Sequence, residues 1–188
     1  MVIPPQSFSL CIITQKIQLV ITKNSIIRSN PQTLPFQEQK GVVFMIEQDT
    51  IKLLRECDAG IKMGISSIDD VLEHVENETF YQCLTRCRQE HDKLQTEIQK
   101  LLGKYQDEGK DPNPIAKGMS WIKTNVKLGM DDTDKTVADL MTDGCNMGVK
   151  SLSKYLNQYK AADEISKDIT KRLIHLEAEL ATDIRRYL

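Results

Sequence analysis

The sequence lacks the features of membrane proteins, exported proteins and disulfide-linked domains. No apolar run approaches the roughly 18–20 residues that span a bilayer. Residues 8–21 are interrupted by polar side chains and are not preceded by a basic residue, unlike a signal peptide. The five cysteines are an odd number without a Cys-x-x-Cys pair, which argues against a disulfide framework or a zinc ribbon. We therefore expect a cytoplasmic protein.

An excess of charge of one sign is also absent. The chain has 25 Lys and Arg against 27 Asp and Glu, mixed along its length, for a net charge of −2. Nucleic acids and anionic membranes require a basic surface, so neither is predicted as a partner. The sequence contains no phosphate-binding loop, no Gly-x-Ser-x-Gly and no nucleophile beside a base, so it indicates no enzyme class.

The composition changes at Met45. Residues 1–44 contain four Lys and Arg, one acidic residue and four of the six prolines, without helical periodicity. We expect residues 45–188 to be the folded unit, and residues 1–44 to be either a disordered tail or an untranslated upstream segment with Met45 as a bacterial start. Residues 40–42 can be encoded by a purine-rich ribosome-binding sequence, so the gene's nucleotides would distinguish these alternatives.

From Ile51 onward, apolar residues recur in alternating steps of three and four, which predicts the helices of a bundle. A turn at Asn77 separates the first two helices into an antiparallel hairpin. Two further helices are predicted from about Thr133 to Tyr159 and from about Asp163 to Tyr187. The first seam is Ile51, Leu54, Asp58, Ile61, Ile65, Ile68, Leu72 and Val75, and the second is Phe80, Leu84, Cys87, His91, Leu94, Ile98, Leu101 and Tyr105.

Residues 108–131 are predicted to be a long crossover between the second and third helices. Gly109, Pro112 and Pro114 end the second helix, and a short amphipathic stretch around Trp121 follows. A short helix and several extended residues in this segment are together long enough to span the bundle, whose length is about 40 Å. The Trp121 stretch could bind a partner or lie on the bundle itself.

An internal repeat relates the first and third helices. Residues 59–68 read AGIKMGISSI and residues 143–152 read DGCNMGVKSL, 84 positions later. A glycine inside a helix destabilises it by about 1 kcal/mol relative to alanine, so we expect a compensating contact. We predict that the two helices cross at the glycines, with the methionines filling gaps; the alternative is that the glycines have no packing role. The residues concerned are Gly60, Met63, Gly64, Gly144, Met147 and Gly148.

Matched helices, a crossover after the second helix and a duplicated hairpin resemble the ferritin-like superfamily over residues 45–188, most closely bacterial branches of unknown function. The resemblance implies an all-α four-helix bundle. In diiron members it also implies Glu-x-x-His pairs on inward faces. Here Val71, Arg88 and Arg172 stand three residues before the three histidines, so no diiron site is predicted.

Three core-seam residues, Asp58, Cys87 and His91, are the remaining candidates for an iron or zinc site. Counted from the turn at residue 77, Asp58 and His91 differ in axial position by roughly 7 Å, which favours a buried hydrogen-bonded histidine and buried thiols instead. His91 and His175 are also 84 residues apart. However, an offset of 84 places the apolar seam of the second helix one residue out of register with that of the fourth helix, so we take the match as coincidence.

The sequence thus predicts a non-enzymatic helical bundle without a cofactor, acting by binding a partner protein or by self-association. The alternative is a ferritin-like metal-binding protein or oxidase with a non-standard ligand set.

Overall fold

A computed structural model describes residues 36–112 and 133–188, with side chains from Lys40 onward. These residues form four α-helices and a 3-10 turn, without a strand among them, which confirms the predicted all-α four-helix architecture. The elements are α1 (Phe36–Leu72), α2 (Glu78–Lys104), α3 (Thr133–Gln158), α4 (Glu164–Asp183) and the 3-10 turn (Ile184–Tyr187). None of the described helices is long and apolar enough to cross a membrane.

The first helix starts earlier than the sequence pattern indicates. Residues 36–44, assigned above to a tail, are helical and continuous with residues 45–72. Helical hydrogen bonds join a residue to its neighbours four positions away, so they do not require an apolar seam. By internal contacts, Met45–Leu188 forms one compact unit, separate from Met1–Phe44. Residues 1–35 and most of the predicted crossover, including Trp121, lie outside the described residues.

Two helices begin with side-chain caps that the sequence provides. The side chain of Asn77 accepts a hydrogen bond from the backbone N–H of Phe80 at the start of α2. Asp163 does the same for Ser166 at the start of α4, over 2.7 Å. Each cap satisfies a backbone donor that the first turn leaves unpaired, and is worth about 1 kcal/mol.

One end of the bundle contains the α1–α2 turn and the start of α3. Asp134, in the first turn of α3, accepts hydrogen bonds from the backbone N–H groups of Glu76 and Asn77, over 2.8 and 3.0 Å. These two residues belong to the turn that joins α1 to α2. The third helix therefore starts at the same end of the bundle as the second.

The opposite end contains the α3–α4 turn. The side chains of Asp49 and Thr50 on α1 accept hydrogen bonds from the backbone of Ala161 and Asp163. Consequently α2 and α3 run in one direction, and α1 and α4 run in the other. The end of α2 and the start of α3 lie at opposite ends of the bundle.

Among the described residues, the core has two apolar clusters with a polar layer between them. In each helix one central residue separates the members of the two clusters, and these four residues are Gly64, His91, Gly148 and Glu177. The cluster nearer the α1–α2 turn includes Ile68, Val71, Phe80, Leu84, Val137, Met141, Leu180 and Ile184. The other includes Leu53, Leu54, Ile61, Leu94, Ile98, Leu102, Leu152, Ile169 and Leu173.

Candidate functional site

The polar layer is centred on a buried pair between His91 of α2 and Glu177 of α4. The His91 side chain is 1% exposed, and its Nε2 lies 3.1 Å from Oε1 of Glu177. Its Nδ1 lies 2.9 Å from the backbone oxygen of Cys87, one turn earlier in α2. A carbonyl oxygen can only accept a hydrogen bond, so Nδ1 must carry a proton. Nε2 is therefore the nitrogen that shares a proton with the Glu177 carboxylate.

The surroundings of His91 favour its charged form. Burial by itself lowers the pKa of His91 and is the largest single effect, but it is outweighed by several others. The hydrogen bonds to Cys87 and Glu177 and the negative charge of Glu177 together raise the pKa of His91 to about 10. Glu177 and Cys87 thus favour the imidazolium form of His91 inside the bundle.

Two glycines make room for this pair. A Cβ at Gly64 would lie 2.9 Å from Nε2 of His91 and 3.7 Å from Oε1 of Glu177. A Cβ at Gly148 would lie 3.3 Å from the carboxyl carbon of Glu177. Gly64 and Gly148 occupy equivalent positions in the sequence repeat, and both face the same carboxylate. The space that they provide accommodates a polar side chain, which the sequence pattern alone could not show.

The other glycines and the methionines that were predicted to lie at the helix crossing differ in their surroundings from Gly64 and Gly148. A Cβ at Gly60 or Gly144 would meet nothing within 4 Å among the described residues, so neither glycine permits a close helix approach there. Met147 is 65% exposed and does not fill an interior gap, in contrast to the expectation from the repeat. Met63 is half-buried. A small residue that recurs in a repeat indicates that space is restricted at its position, but it does not identify the neighbouring group. For this reason the repeat suggested a close crossing of two helices instead of room for a polar side chain.

Two thiols border the layer. Sγ of Cys87 lies 3.6 Å from Nδ1 of His91, and the side chain of Cys145 on α3 hydrogen-bonds Glu177. Burial and the charge of Glu177 raise the pKa of the Cys145 thiol above its usual range. Burial likewise raises the pKa of Cys57 to about 12, despite its contact with Thr170. The thiols of Cys145 and Cys57 therefore remain protonated at neutral pH, and Cys145 can donate its proton to the carboxylate.

Asp58 does not belong to this layer. Its fully buried carboxylate accepts hydrogen bonds from Nε2 of Gln99, over 2.7 Å, and from the backbone N–H of Lys110, over 2.9 Å. Lys62, one turn later on α1, pairs with it at 3.0 Å. The aspartate that interrupts the apolar seam therefore fixes the segment following α2 against α1.

That segment has its own requirement for glycine. Gly109 has a φ of +87°, a conformation that L side chains rarely adopt. A Cβ at this position would also overlap Oδ2 of Asp58. The neighbouring Lys110 pairs through Nζ with both carboxylate oxygens of Glu56 at 2.7 Å. The start of the connection toward α3 is therefore held by buried and half-buried ionic contacts.

The three metal candidates do not converge. Cys87 and His91 contact each other, but Asp58 binds Gln99, which is eight residues, or about 12 Å, further along α2 than His91. No group of three or more His, Cys, Asp or Glu within residues 36–112 and 133–188 is arranged to hold a metal ion. The other histidines lie elsewhere: His175 is exposed beside Glu179, at 3.1 Å, and His74 lies beside Glu73.

Sequence reasoning identified His91 but missed its partner Glu177 and the neighbouring Cys145. The signal for Glu177 lies in the fourth helix, where Leu173, Glu177, Leu180 and Ile184 form a seam with steps of four, three and four. A carboxylate inside such a seam is a candidate partner for a buried histidine. Comparison of the chain with protein-family models, curated proteins and solved structures found no significant match.

Proposed function

We propose that this chain is a cytoplasmic, non-enzymatic, ferritin-like bundle of two related hairpins that acts by protein contact, first of all with a second copy of itself. The observation that carries the proposal is a continuous apolar stretch, Val43, Phe44 and Met45, exposed on α1. The ferritin-like arrangement, the duplication and the cytoplasmic location have separate support.

The helix directions support the ferritin-like arrangement. α2 ends at the end of the bundle where Thr50 contacts Asp163, whereas α3 starts at the opposite end, beside Asn77. A bundle with alternating helix directions would place these two points at the same end. One long connection between the second and third helices is the arrangement of ferritin-like bundles.

Reciprocal contacts at the two ends of the bundle support the duplication. Asn77 and Asp163, which cap α2 and α4, are 86 residues apart, and Thr50 and Asp134 are 84 residues apart. The backbone N–H of Asn77 donates to Asp134, and that of Asp163 donates to Thr50. Each hairpin thus holds the turn of the other through an equivalent residue, as two hairpins related by a twofold axis would.

The same exchange recurs along α2 and α4. Arg86 pairs with Asp183, and Arg172 pairs with Glu97. Arg172 lies 86 residues after Arg86, and Asp183 lies 86 residues after Glu97. In the central layer the same offset relates His91 to Glu177. These coincidences support an origin of the two hairpins from one sequence.

The buried groups support a cytoplasmic and non-enzymatic protein. Cys57, Cys83, Cys87 and Cys145 are all buried free thiols, which suits a reducing compartment. Both ring nitrogens of His91 are engaged within the bundle, by Cys87 and Glu177. A general base must reach a proton of its substrate, and this imidazole is only 1% exposed. The polar layer therefore suits a role in specifying the fold.

The exposed stretch of α1 supports self-association. Val43 is 59% exposed, Phe44 61% and Met45 60%. Successive helix residues are 100° apart, so these three exposed side chains are spread over about 200° around one turn of the helix. Apolar side chains exposed in a contiguous patch mark contact surfaces, and burying each of these is worth roughly 1.5–3 kcal/mol.

Sedimentation velocity of the full chain at 1 to 100 µM would test the proposal, with the triple variant Val43→Ser, Phe44→Ser and Met45→Ser. We expect the wild type to associate in this range and the variant to remain monomeric. The control combines Met147→Ser and Ile165→Ser, which replace equally exposed but isolated apolar residues. A monomeric wild type, or equal loss of association in the control, would contradict self-association.

A further inference from the structure

A cationic groove lies between the first turns of α2 and the C-terminal turn of the chain. It has a volume of about 700 Å³. Its lining residues are Thr79, Gln82, Cys83, Arg86, Thr182, Asp183, Arg185 and Arg186. We propose that this groove is a binding site for a small ligand that carries one compact phosphate-type oxyanion.

The lining is chemically suited to such an anion. Three arginines and one aspartate line the groove, so its formal net charge is +2; Arg86 pairs with the aspartate, and the guanidinium of Arg186 lies over the ring of Tyr187. Guanidinium is planar and offers several donors in a geometry that matches the oxygens of phosphate. The Thr182 hydroxyl donates to the backbone oxygen of Ala178 and one Gln82 amide N–H donates to Glu78, which leaves the second Gln82 N–H and the Thr79 hydroxyl as further donors. Thr79 lies at the positive end of the α2 dipole, but Thr182 and Asp183 lie at the negative end of the α4 dipole, so the two dipoles offset each other and the arginines supply the positive charge.

The equivalent place in the other half of the bundle shows that the fold does not require these arginines. The residues 86 positions before Arg185 and Arg186 are Gln99 and Lys100. Adding 86 to Gln82 gives Asp168, an acid in place of an amide. Gln99 and Lys100 lie inside a continuing helix, whereas Arg185 and Arg186 lie in a 3-10 turn after α4, so the residues compared differ in both charge and backbone.

The paired arginines of the two halves also differ in how fully they are engaged. Arg172 binds both carboxylate oxygens of Glu97, each at 2.7 Å, which uses two donors in a bidentate contact. Arg86 makes one contact of 3.3 Å with Asp183. A guanidinium has five N–H donors, so Arg86 retains donors that can bind a ligand in the groove.

The neighbouring surface limits the ligand to a small one. A second groove of about 400 Å³ shares Cys83, Arg86 and Asp183 with the first and continues between α2 and α4. It is lined by Glu90 and Glu179, together with apolar side chains. These carboxylates would repel a chain of phosphates such as a nucleic acid. A ligand with a single anionic end and a short neutral or cationic remainder fits both grooves.

The test is a titration of the full chain with inorganic phosphate at constant ionic strength, followed by NMR of the arginine Nε–H signals. We expect saturable shifts at Arg86, Arg185 and Arg186. The double variant Arg185→Gln and Arg186→Gln should bind about tenfold more weakly or worse, because it loses two charge-assisted contacts. Acetate, a carboxylate anion of lower charge, should bind more weakly than phosphate.

The matched control is Lys100→Gln with Arg172→Gln, which removes the same charge from the equivalent surface of the other half. Its phosphate affinity should remain within about twofold of the wild type. All of the substituted side chains are exposed, so circular dichroism should show folded variants. Shifts that do not saturate, equal weakening in the control, or acetate binding as tight as phosphate binding would each overturn the proposal.

Discussion

Replacing Glu177 by glutamine should reverse the pH dependence of stability that the polar layer gives to the bundle. In the wild type the pKa of His91 is raised to about 10 in the folded state, against about 6.5 when unfolded. Between these two values the folded protein holds one more proton than the unfolded chain. His91 therefore contributes stability that is fully present below about pH 6.5 and is lost as the pH rises toward 10.

The size of the effect follows from the same shift. Each pKa unit corresponds to 1.36 kcal/mol, so His91 contributes at most about 5 kcal/mol at low pH, with a slope of about 1.4 kcal/mol per pH unit. In Glu177→Gln the amide can donate to Nε2 of a neutral imidazole, because Nδ1 already donates to Cys87. Without the carboxylate, burial lowers the pKa of His91 below 6.5. The variant should then lose stability as the pH falls.

The assay is urea unfolding of the full chain, followed by far-ultraviolet circular dichroism at pH 5 to 9 and fixed ionic strength. We expect the difference in free energy of unfolding, wild type minus variant, to shrink steadily as the pH rises. Glu179→Gln is the control, because that carboxylate pairs with the exposed His175. Parallel pH profiles for the wild type and Glu177→Gln would refute the assigned charge state of His91.

Three further predictions concern the glycines, Asp58 and metals. Gly64→Ala should destabilise the bundle by about 1–3 kcal/mol, because its Cβ meets His91, whereas Gly60→Ala, with open space around it, should stabilise it by up to about 1 kcal/mol. Urea unfolding measures both, and equal effects would contradict the assigned contacts. Asp58→Ala should cost about 1–3 kcal/mol by the same assay, because it removes the acceptor for Gln99 and for the backbone N–H of Lys110; a change below about 0.5 kcal/mol would contradict this role. After exposure to Fe(II) or Zn(II) and desalting, elemental mass spectrometry should find substoichiometric metal; stoichiometric metal that is lost in His91→Ala would contradict a purely structural polar layer.

Sequence periodicity was sufficient for the helices themselves. The seams that start at Ile51 and Phe80, the turn at Asn77 and the start of the fourth helix near Asp163 depend on local features of the chain, which is why the sequence pattern predicts them. For the same reason the start of α1 was missed. Residues 36–44 have no apolar seam, although their backbone continues the helix.

The partner of His91 could not be found in this way, because it depends on how α4 is rotated and shifted along the bundle axis. The repeat aligns α1 with α3 at 84 residues, and applying this offset to the other two helices misplaces α4 by two residues. The structure relates Asn77 to Asp163 and His91 to Glu177 at 86 residues, because the second hairpin is two residues longer between equivalent points. A two-residue shift turns a helix by about 200°, enough to exchange its buried and exposed faces.

By itself, the sequence determined the all-helical class, the helix number and the turn at Asn77, since these depend on neighbours within a turn or two of the chain. Only the tertiary structure decided that Glu177 pairs with His91, that Gly64 and Gly148 leave room for this pair, and that Asp58 anchors the segment after α2. Each of these contacts joins residues more than 25 positions apart, and their distances are set by the packing of helices, which no local pattern encodes.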